Sequence, residues 1–210
     1  TLNLSHSEDL TPQRYNNWSR TVFSNNWYYK DPEIDRASFT LYSDWSDRLS
    51  TKFKYTTYEM VEDDSSYGDD LFPEMNITIT DPVSGDRDNV FLGGDRYRGA
   101  NVIEVDSEFL TFKADYDNDD HVYTFGYEED NSDVVNLFIA RYNGEVRFRS
   151  FEDYKNGIWS RLRIHEPYAG HTATRSMAAD FEVNKKTFYI QYKWYVNSDL
   201  TVQFGLRYDS

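Results

Sequence analysis

The chain lacks several features that define common protein classes. It has no cysteine, which excludes disulfide bonds, zinc–thiolate sites and a cysteine nucleophile. No apolar stretch approaches the roughly 18 residues of a transmembrane helix, and the N-terminus has no charged-then-apolar signal peptide. Basic residues are outnumbered: 22 Lys and Arg stand against 37 Asp and Glu, for a net charge of −15. Because phosphate backbones would be repelled, we expect no nucleic-acid partner.

What the chain does contain is alternation of apolar and polar side chains in short stretches. The clearest example is the C-terminal pair, in which one parity is apolar and rich in aromatic residues: Phe188, Ile190, Tyr192 and Trp194, then Val202, Phe204, Leu206 and Tyr208. Because successive side chains of a strand point to opposite faces, this pattern predicts strands with one apolar and one polar face. Aromatic residues make up 18% of the chain, which argues against a disordered protein.

Seven principal strands are predicted, and they form an all-β antiparallel meander. In chain order they span residues 1–7, 38–46, 49–59, 109–116, 121–128, 186–196 and 200–208. The whole chain, 1–210, is interpreted as a single β-barrel segment, because both ends coincide with strands. We therefore expect a fragment of a larger transmembrane β-barrel.

The connections between these strands alternate between short and long. Tight turns are predicted at Asp47-Arg48, at Asn118-Asp119 and at 197–199, from residues that tolerate left-handed backbone. In an up-and-down sheet every short turn then lies at one end and every long loop at the other, as in outer-membrane barrels. Within the long loops, Asn143-Gly144 predicts an extra hairpin, and residues 150–157 predict a short helix that stops at Gly157.

The apolar stripes by themselves fit two classes of protein equally well. They form the lipid-facing surface of a membrane barrel, with Tyr and Trp near the membrane interface, or the core of a soluble antiparallel sheet. The alternative to a barrel is therefore a soluble β module that binds carbohydrate or another ligand. The alternation of short and long connections favours the barrel.

Several motifs, taken in order, resemble the barrel region of TonB-dependent outer-membrane receptors, and most closely the Oar-like branch. These motifs are Leu71-Phe-Pro-Glu74, the run from Phe91 to Asn101 (FLGGDRYRGAN), Leu110-Thr-Phe-Lys-Ala-Asp-Tyr116, Lys186-Thr-Phe-Tyr-Ile-Gln-Tyr-Lys-Trp194 and the ending from Asp199 to Asp209 (DLTVQFGLRYD). The resemblance covers nearly the whole chain.

The resemblance implies a 22-stranded barrel in the bacterial outer membrane that takes up a scarce extracellular ligand. It implies lipid, the remaining barrel strands, an N-terminal plug and the TonB protein as partners. The chain departs from the family pattern because it contains neither a plug nor a TonB-contact segment. We therefore expect no transport by the fragment alone, and we expect isolated fragments to self-associate through strand edges.

Candidate ligand-binding residues come from the two basic-aromatic clusters of the loops. They are Asp95, Arg96, Tyr97 and Arg98 in one cluster and Trp159 and Arg161 in the other. Guanidinium groups bind carboxylate or phosphate bidentately, although internal salt bridges are the alternative in so acidic a chain. We expect no enzyme activity, no catalytic residue, no metal and no cofactor.

Overall fold

The computed structural model describes residues 1–14, 20–66, 72–165 and 175–210. Leu71, the first residue of the quoted motifs, therefore lies outside the described residues. Within them the strands are β1 (Leu2–Glu8), β2 (Thr11–Gln13), β3 (Arg20–Val22), β4 (Tyr28–Lys30), β5 (Pro32–Asp44), β6 (Leu49–Asp63), β7 (Ser65–Ser66), β8 (Glu74–Thr80), β9 (Arg87–Leu92), β10 (Asn101–Asn118), β11 (His121–Phe138), β12 (Glu145–Phe148), β13 (Arg161–Arg163), β14 (Ala179–Asn197) and β15 (Leu200–Asp209), with one α-helix, α1 (Phe151–Lys155). No described helix has the length and apolar composition needed to cross a membrane.

The strands form three sheets. The largest, which we call the wall, has seven antiparallel strands in the order β1-β5-β6-β10-β11-β14-β15. A five-stranded sheet has the order β13-β12-β8-β9-β3, and we call this sheet together with α1 the cap. A small third sheet has the order β2-β4-β7. The predicted all-β antiparallel meander of seven main strands is thus confirmed.

The three tight turns lie at the same end of the wall. Asp119 adopts the left-handed conformation with φ 59°, and the side chain of Asn197 accepts hydrogen bonds from two backbone N–H groups of its turn, each at 2.9 Å. Arg48, in the first turn, donates a hydrogen bond of 2.8 Å to Asn118 in the second. The long connections 9–31, 64–100 and 139–178 therefore begin and end at the opposite end of the wall.

The wall strands are longer than predicted at the long-loop end. Strands β10 and β11 each have 18 residues and pair along their whole length. Strand β11 alone continues for ten residues beyond its predicted end at residue 128. Next to the apolar segment, at residues 106–108 and 129–133, both faces carry polar side chains. The sequence pattern therefore loses its alternation there, although the hydrogen-bonded pairing continues. Backbone pairing, which composition does not reveal, defines these strand ends.

The hairpin predicted at Asn143-Gly144 does not form. Residues 134–138 remain in β11, between β10 and β14, whereas β12 pairs in parallel with β8. A type I′ turn needs positive φ at both central residues, but here Gly144 (φ 97°) and Arg141 (φ 64°) are positive and Asn143 is not. Strand β11 has a wall neighbour on each side, so it offers no free edge to residues 145–148. A hairpin does lie in a long loop, formed by β8 and β9.

The predicted short helix is confirmed as α1. Ser150 is its N-cap and accepts a hydrogen bond of 3.0 Å from the backbone N–H of Asp153. Gly157 follows the helix with φ 67°, a conformation that favours glycine. The helix packs on the five-stranded sheet of the cap, where the rings of Phe148 and Tyr154 meet edge to face at 5.3 Å.

One face of the wall carries lateral rows of apolar side chains, because the register aligns the apolar parity of all neighbours. In the row through Phe112, the partners are Phe53 on β6 and Tyr127 on β11. The rows together form what we call the apolar band: Leu2, Phe39, Leu41, Leu49, Phe53, Tyr55, Leu110, Phe112, Ala114, Tyr116, His121, Tyr123, Phe125, Tyr127, Phe188, Ile190, Tyr192, Trp194, Val202, Phe204, Leu206 and Tyr208.

The apolar band is not the core of this chain. Most of its large side chains are exposed, with Leu206 at 78% and Phe204 at 63%, and none of the others is buried. Most buried apolar residues of the described chain lie instead in the cap, around Ile77 and Phe148, and where the cap meets the wall, around Leu137. A soluble sandwich would bury these stripes under a second sheet, and none of the three described sheets does so.

On the opposite, polar face of the wall, the ring of Tyr189 lies over Gly126 of the neighbouring strand. A Cβ atom at Gly126 would overlap the far end of that ring. The glycine therefore provides the space that a large aromatic side chain fills, which helps to fix the register of β11 against β14.

We predict that Gly126→Ala destabilises the protein by about 1 kcal/mol, because the added methyl group displaces the Tyr189 ring. In a Tyr189→Ala background the same substitution should cost nothing, since the overlap is gone. Urea unfolding of the four variants in detergent micelles measures the coupling. Strictly additive effects would contradict the proposed packing of the ring on the glycine.

Candidate functional site

The two segments that contain the sequence-predicted clusters, 95–98 and 159–163, meet at one carboxylate. Arg96 lies in the turn between β9 and β10, and its guanidinium is 3.3 Å from Glu145 on β12. Arg163, at the end of β13, is 3.9 Å from the same carboxylate. Glu145 is therefore the point at which the segment 95–98 and the segment 159–163 meet.

Glu145 also has an acidic neighbour, Glu74. The parallel pairing of β12 with β8 places Glu74 directly beside it, and the two residues are 2% and 1% exposed. Two adjacent buried carboxylates would repel each other strongly without cations between them. Arg96 supplies one, 3.5 Å from Glu74 and 3.3 Å from Glu145, and Arg141 donates a hydrogen bond of 2.5 Å to Glu145.

The environment shifts the pKa values of the two carboxyl groups in opposite directions. Burial raises the pKa of Glu74, and the charge of Arg96 offsets this in part. Burial alone would also raise the pKa of Glu145, but the hydrogen bond from Arg141 and the charges of Arg96, Arg141 and Arg163 bring its pKa below the ordinary value. Glu145 is thus the carboxylate that this arrangement stabilises in its charged form.

A second ion pair joins the cap to the end of the wall. Arg98 is 2.6 Å from Asp64, the residue after β6, and its other terminal nitrogen donates a hydrogen bond of 3.0 Å to the hydroxyl of Tyr28. Asn101, the first residue of β10, donates a hydrogen bond of 2.7 Å to the same carboxylate. The guanidinium of Arg98 also lies over the Tyr28 ring at 4.1 Å.

The remaining members of the first predicted cluster are positioned by these contacts. Asp95 is buried, which raises its pKa, and it accepts a hydrogen bond of 2.7 Å from the backbone N–H of Tyr97. The ring of Tyr97 stacks on Phe138 at 6.3 Å and has the guanidinium of Arg96 at 5.1 Å. The internal salt bridges that were the alternative for this cluster are therefore present, and ligand binding by its residues stays a prediction.

The second predicted cluster is more accessible. Trp159 is 58% exposed, and Arg161 is exposed on β13, which is the edge strand of the cap. Arg161 lies directly opposite Arg147 on β12. Ligand binding by Trp159 and Arg161 also stays a prediction, and it is compatible with their exposure.

Several residues of this arrangement were not predicted from the sequence. They are Asp64, Glu74, Arg141 and Glu145, all of which carry charge in a chain where charged residues are 28% of the total. In such a chain one acidic residue does not stand out from the others. The single local signal was the spacing of Arg141 and Glu145, four residues apart.

One group of described residues has the composition of a metal site, but its histidine is already bonded. His6, Glu33 and Asp35 lie close together on β1 and β5. The two ring nitrogens of His6 lie 2.9 Å from Asp35 and 3.3 Å from Glu8. Both ring nitrogens therefore already lie against carboxylate oxygens, which can only accept hydrogen bonds.

Comparison with known proteins relates the fold to one solved structure. No protein-family model and no curated protein sequence matches the chain. The chain is similar to the outer membrane transporter YddB from Escherichia coli, with 14% sequence identity and a TM-score of 0.60 over 99% of this chain. The match covers 24% of that transporter, so the chain spans about a quarter of its length. The similarity shows a β fold of the outer-membrane type.

We predict that Glu145→Gln destabilises the protein by about 2 kcal/mol at pH 7, because Arg96 and Arg141 lose a buried charged acceptor. Glu74→Gln should cost less than about 1 kcal/mol, since it removes a carboxylate that burial disfavours. Thermal unfolding of both variants in detergent, followed by circular dichroism, makes the comparison. Equal destabilisation by the two substitutions would contradict the difference between the carboxylates.

The pH dependence should distinguish the same two residues. Because the pKa of Glu145 is lowered in the folded state, its contribution is present above its unfolded pKa and is lost as the pH falls through its folded pKa. Because the pKa of Glu74 is raised, the folded state prefers the neutral acid, and any gain from Glu74→Gln appears as the pH rises through the folded pKa. Melting curves from well below pH 4 up to pH 8 test both signs.

Proposed function

We propose that the chain is part of the barrel wall of an outer-membrane transporter of the TonB-dependent receptor type, with the apolar band facing lipid and the cap outside the cell. The observation that carries the proposal is an exposed apolar band with a polar boundary at each end. On a water-exposed surface, a continuous apolar area of this size would promote aggregation.

The height of the band supports a membrane-spanning role. Its five rows are two residues apart along each strand, which corresponds to about 27 Å along the strands. With the tilt of about 40° that is usual in membrane barrels, the band would be about 20 Å high, close to the apolar zone of roughly 25 Å on known barrels.

The band ends in aromatic side chains with polar tips. At the short-turn end the rings of Tyr123 and Tyr192 lie 5.1 Å apart, and His121 bonds the Tyr192 hydroxyl at 2.7 Å. At the long-loop end the hydroxyls of Tyr55 and Tyr127 donate to Glu108 and Glu129, at 2.8 and 2.6 Å respectively. Amphipathic rings at both margins are typical of a membrane–water interface.

Above the band, the same face of the wall becomes acidic. A lateral row of carboxylates crosses five neighbouring strands, in which each member lies directly opposite the next: Asp35, Glu59, Asp106, Asp133 and Glu182. Like charges directly opposite each other repel, so this row needs water and counter-ions. It supports an aqueous environment for the long-loop end, and therefore for the cap.

The finer parts of the proposal concern partners. Strands β1 and β15 are the edges of the wall, and each unsatisfied backbone group at an edge would cost several kcal/mol in lipid, so further strands of a larger barrel should pair with them. A plug would lie against the polar face and connect the barrel to TonB. Uptake of a scarce ligand, with contacts from Trp159 and Arg161, completes the proposal, and it includes no enzymatic step.

Solution mass by light scattering, with and without detergent, tests the membrane assignment first. The chain should aggregate in plain buffer and form a defined β-rich particle in detergent. A monodisperse monomer in plain buffer would instead favour a soluble β module that binds a ligand.

We further predict that Ile190→Arg, in the middle of the apolar band, destabilises the protein in bilayers by about 2–4 kcal/mol. The neighbouring substitution Gln191→Arg introduces the same side chain on the polar face and should be tolerated. Urea unfolding in lipid vesicles compares the two variants. If Gln191→Arg were the more harmful substitution, the apolar band would not be the face in contact with lipid.

A further inference from the structure

We propose that Arg147, Arg161 and Arg163, at the edge of the cap, form a binding site for a ligand that carries phosphate or carboxylate groups. The proposal deepens the proposed function, on which it rests for access from outside the cell. The binding chemistry itself depends on the cap alone.

The three guanidinium groups share one face of the cap. In the antiparallel pair β12–β13, Arg147 lies opposite Arg161, and Glu145 lies opposite Arg163. Directly opposite residues of a strand pair, and residues two apart on one strand, point to the same face. The Cβ atoms of Arg147 and Arg161 are therefore about 5 Å apart.

The carboxylates of this segment do not neutralise Arg147 and Arg161, and Arg163 shares Glu145 with two other arginines. Residues 141–165 contain six basic and three acidic side chains in a chain of net charge −15. Glu145 is held by Arg96 and Arg141, and its contact with Arg163 is a long 3.9 Å. Among the residues that the structure describes, no carboxylate lies within ion-pair distance of Arg147 or Arg161.

The other two acidic residues of the segment belong to α1, which covers the opposite face of the five-stranded sheet. Phe148 contacts Tyr154 of α1 and has the opposite parity to Arg147. Glu152 of the helix pairs with Lys155 at 2.5 Å. The helix therefore contributes neither charge nor cover to the arginine face.

Two like charges directly across a strand pair destabilise the free protein. An oxyanion between them removes this repulsion, and each planar guanidinium provides paired N–H donors that match a carboxylate or a phosphate. Two such groups, on side chains whose Cβ atoms are about 5 Å apart, suit a ligand with more than one anionic group. Trp159, two residues before Arg161 and 58% exposed, offers an apolar surface to an organic ligand.

Calorimetric titration of the full chain in detergent at low salt, with citrate and with pyrophosphate, tests the site. At least one of the two anions should bind, and the double variant Arg147→Gln/Arg161→Gln should bind it at least tenfold more weakly. Lys155→Gln, which removes a positive charge from the other face of the cap, is the matched control and should bind as the original chain does. The anion that binds identifies carboxylate or phosphate as the preferred group.

Thermal unfolding gives an independent readout. Without anion, the double variant should melt at the same or a higher temperature, because the repulsion is relieved, and added anion should raise the melting temperature of the original chain alone. Absence of binding to both anions, or equal loss of binding in Lys155→Gln, would overturn the proposal. Binding by a chain that is monomeric in plain buffer would retain the site and refute the membrane assignment.

Discussion

The register of the antiparallel wall is the constraint on which the other features of this chain depend. The strands of the wall pair so that their apolar parities share one face, as in the row that runs across six strands from Leu41 on β5 to Tyr208 on β15. A shift of one residue in any pair would move the apolar side chains of that strand to the polar face. The Tyr189 ring over Gly126 and the hydrogen bond between the first two tight turns both help to hold this register.

The cap is attached to the wall through charge more than through apolar packing. The apolar cluster at the junction is small, around Ala100, Leu137 and Ile139, whereas the pair Asp64–Arg98 links the ends of the wall strands to the loop that begins β10. Glu74 and Glu145 are buried side by side and are tolerated because Arg96 and Arg141 lie against them. Buried ion pairs of this kind contribute little net stability, because the cost of desolvating the charges offsets most of their attraction.

The predicted and observed elements agree where local rules are strong. Alternation located all seven wall strands, and the turn residues at Asn118-Asp119 and Asn197 marked their connections, because a strand with one apolar face and a tight turn each have a short-range signature. The helix after Ser150 was predictable for the same reason. The hairpin at Asn143-Gly144 was a wrong prediction: its turn signature was sound, but both sides of β11 were already paired, and β12 found a parallel partner about 70 residues away in the sequence.

The amino-acid sequence by itself determined the all-β architecture, the two faces of the wall and the separation of short turns from long loops, since each follows from the order of neighbouring residues. The tertiary structure alone decided how far the strands continue and which loop segments form the cap. It also decided which charges meet at Glu145, and it left Arg147 and Arg161 without a carboxylate partner among the described residues. Those outcomes depend on contacts between segments distant in sequence. In a chain with 37 acidic and 22 basic side chains, composition cannot select the few pairs that burial and strand register bring together.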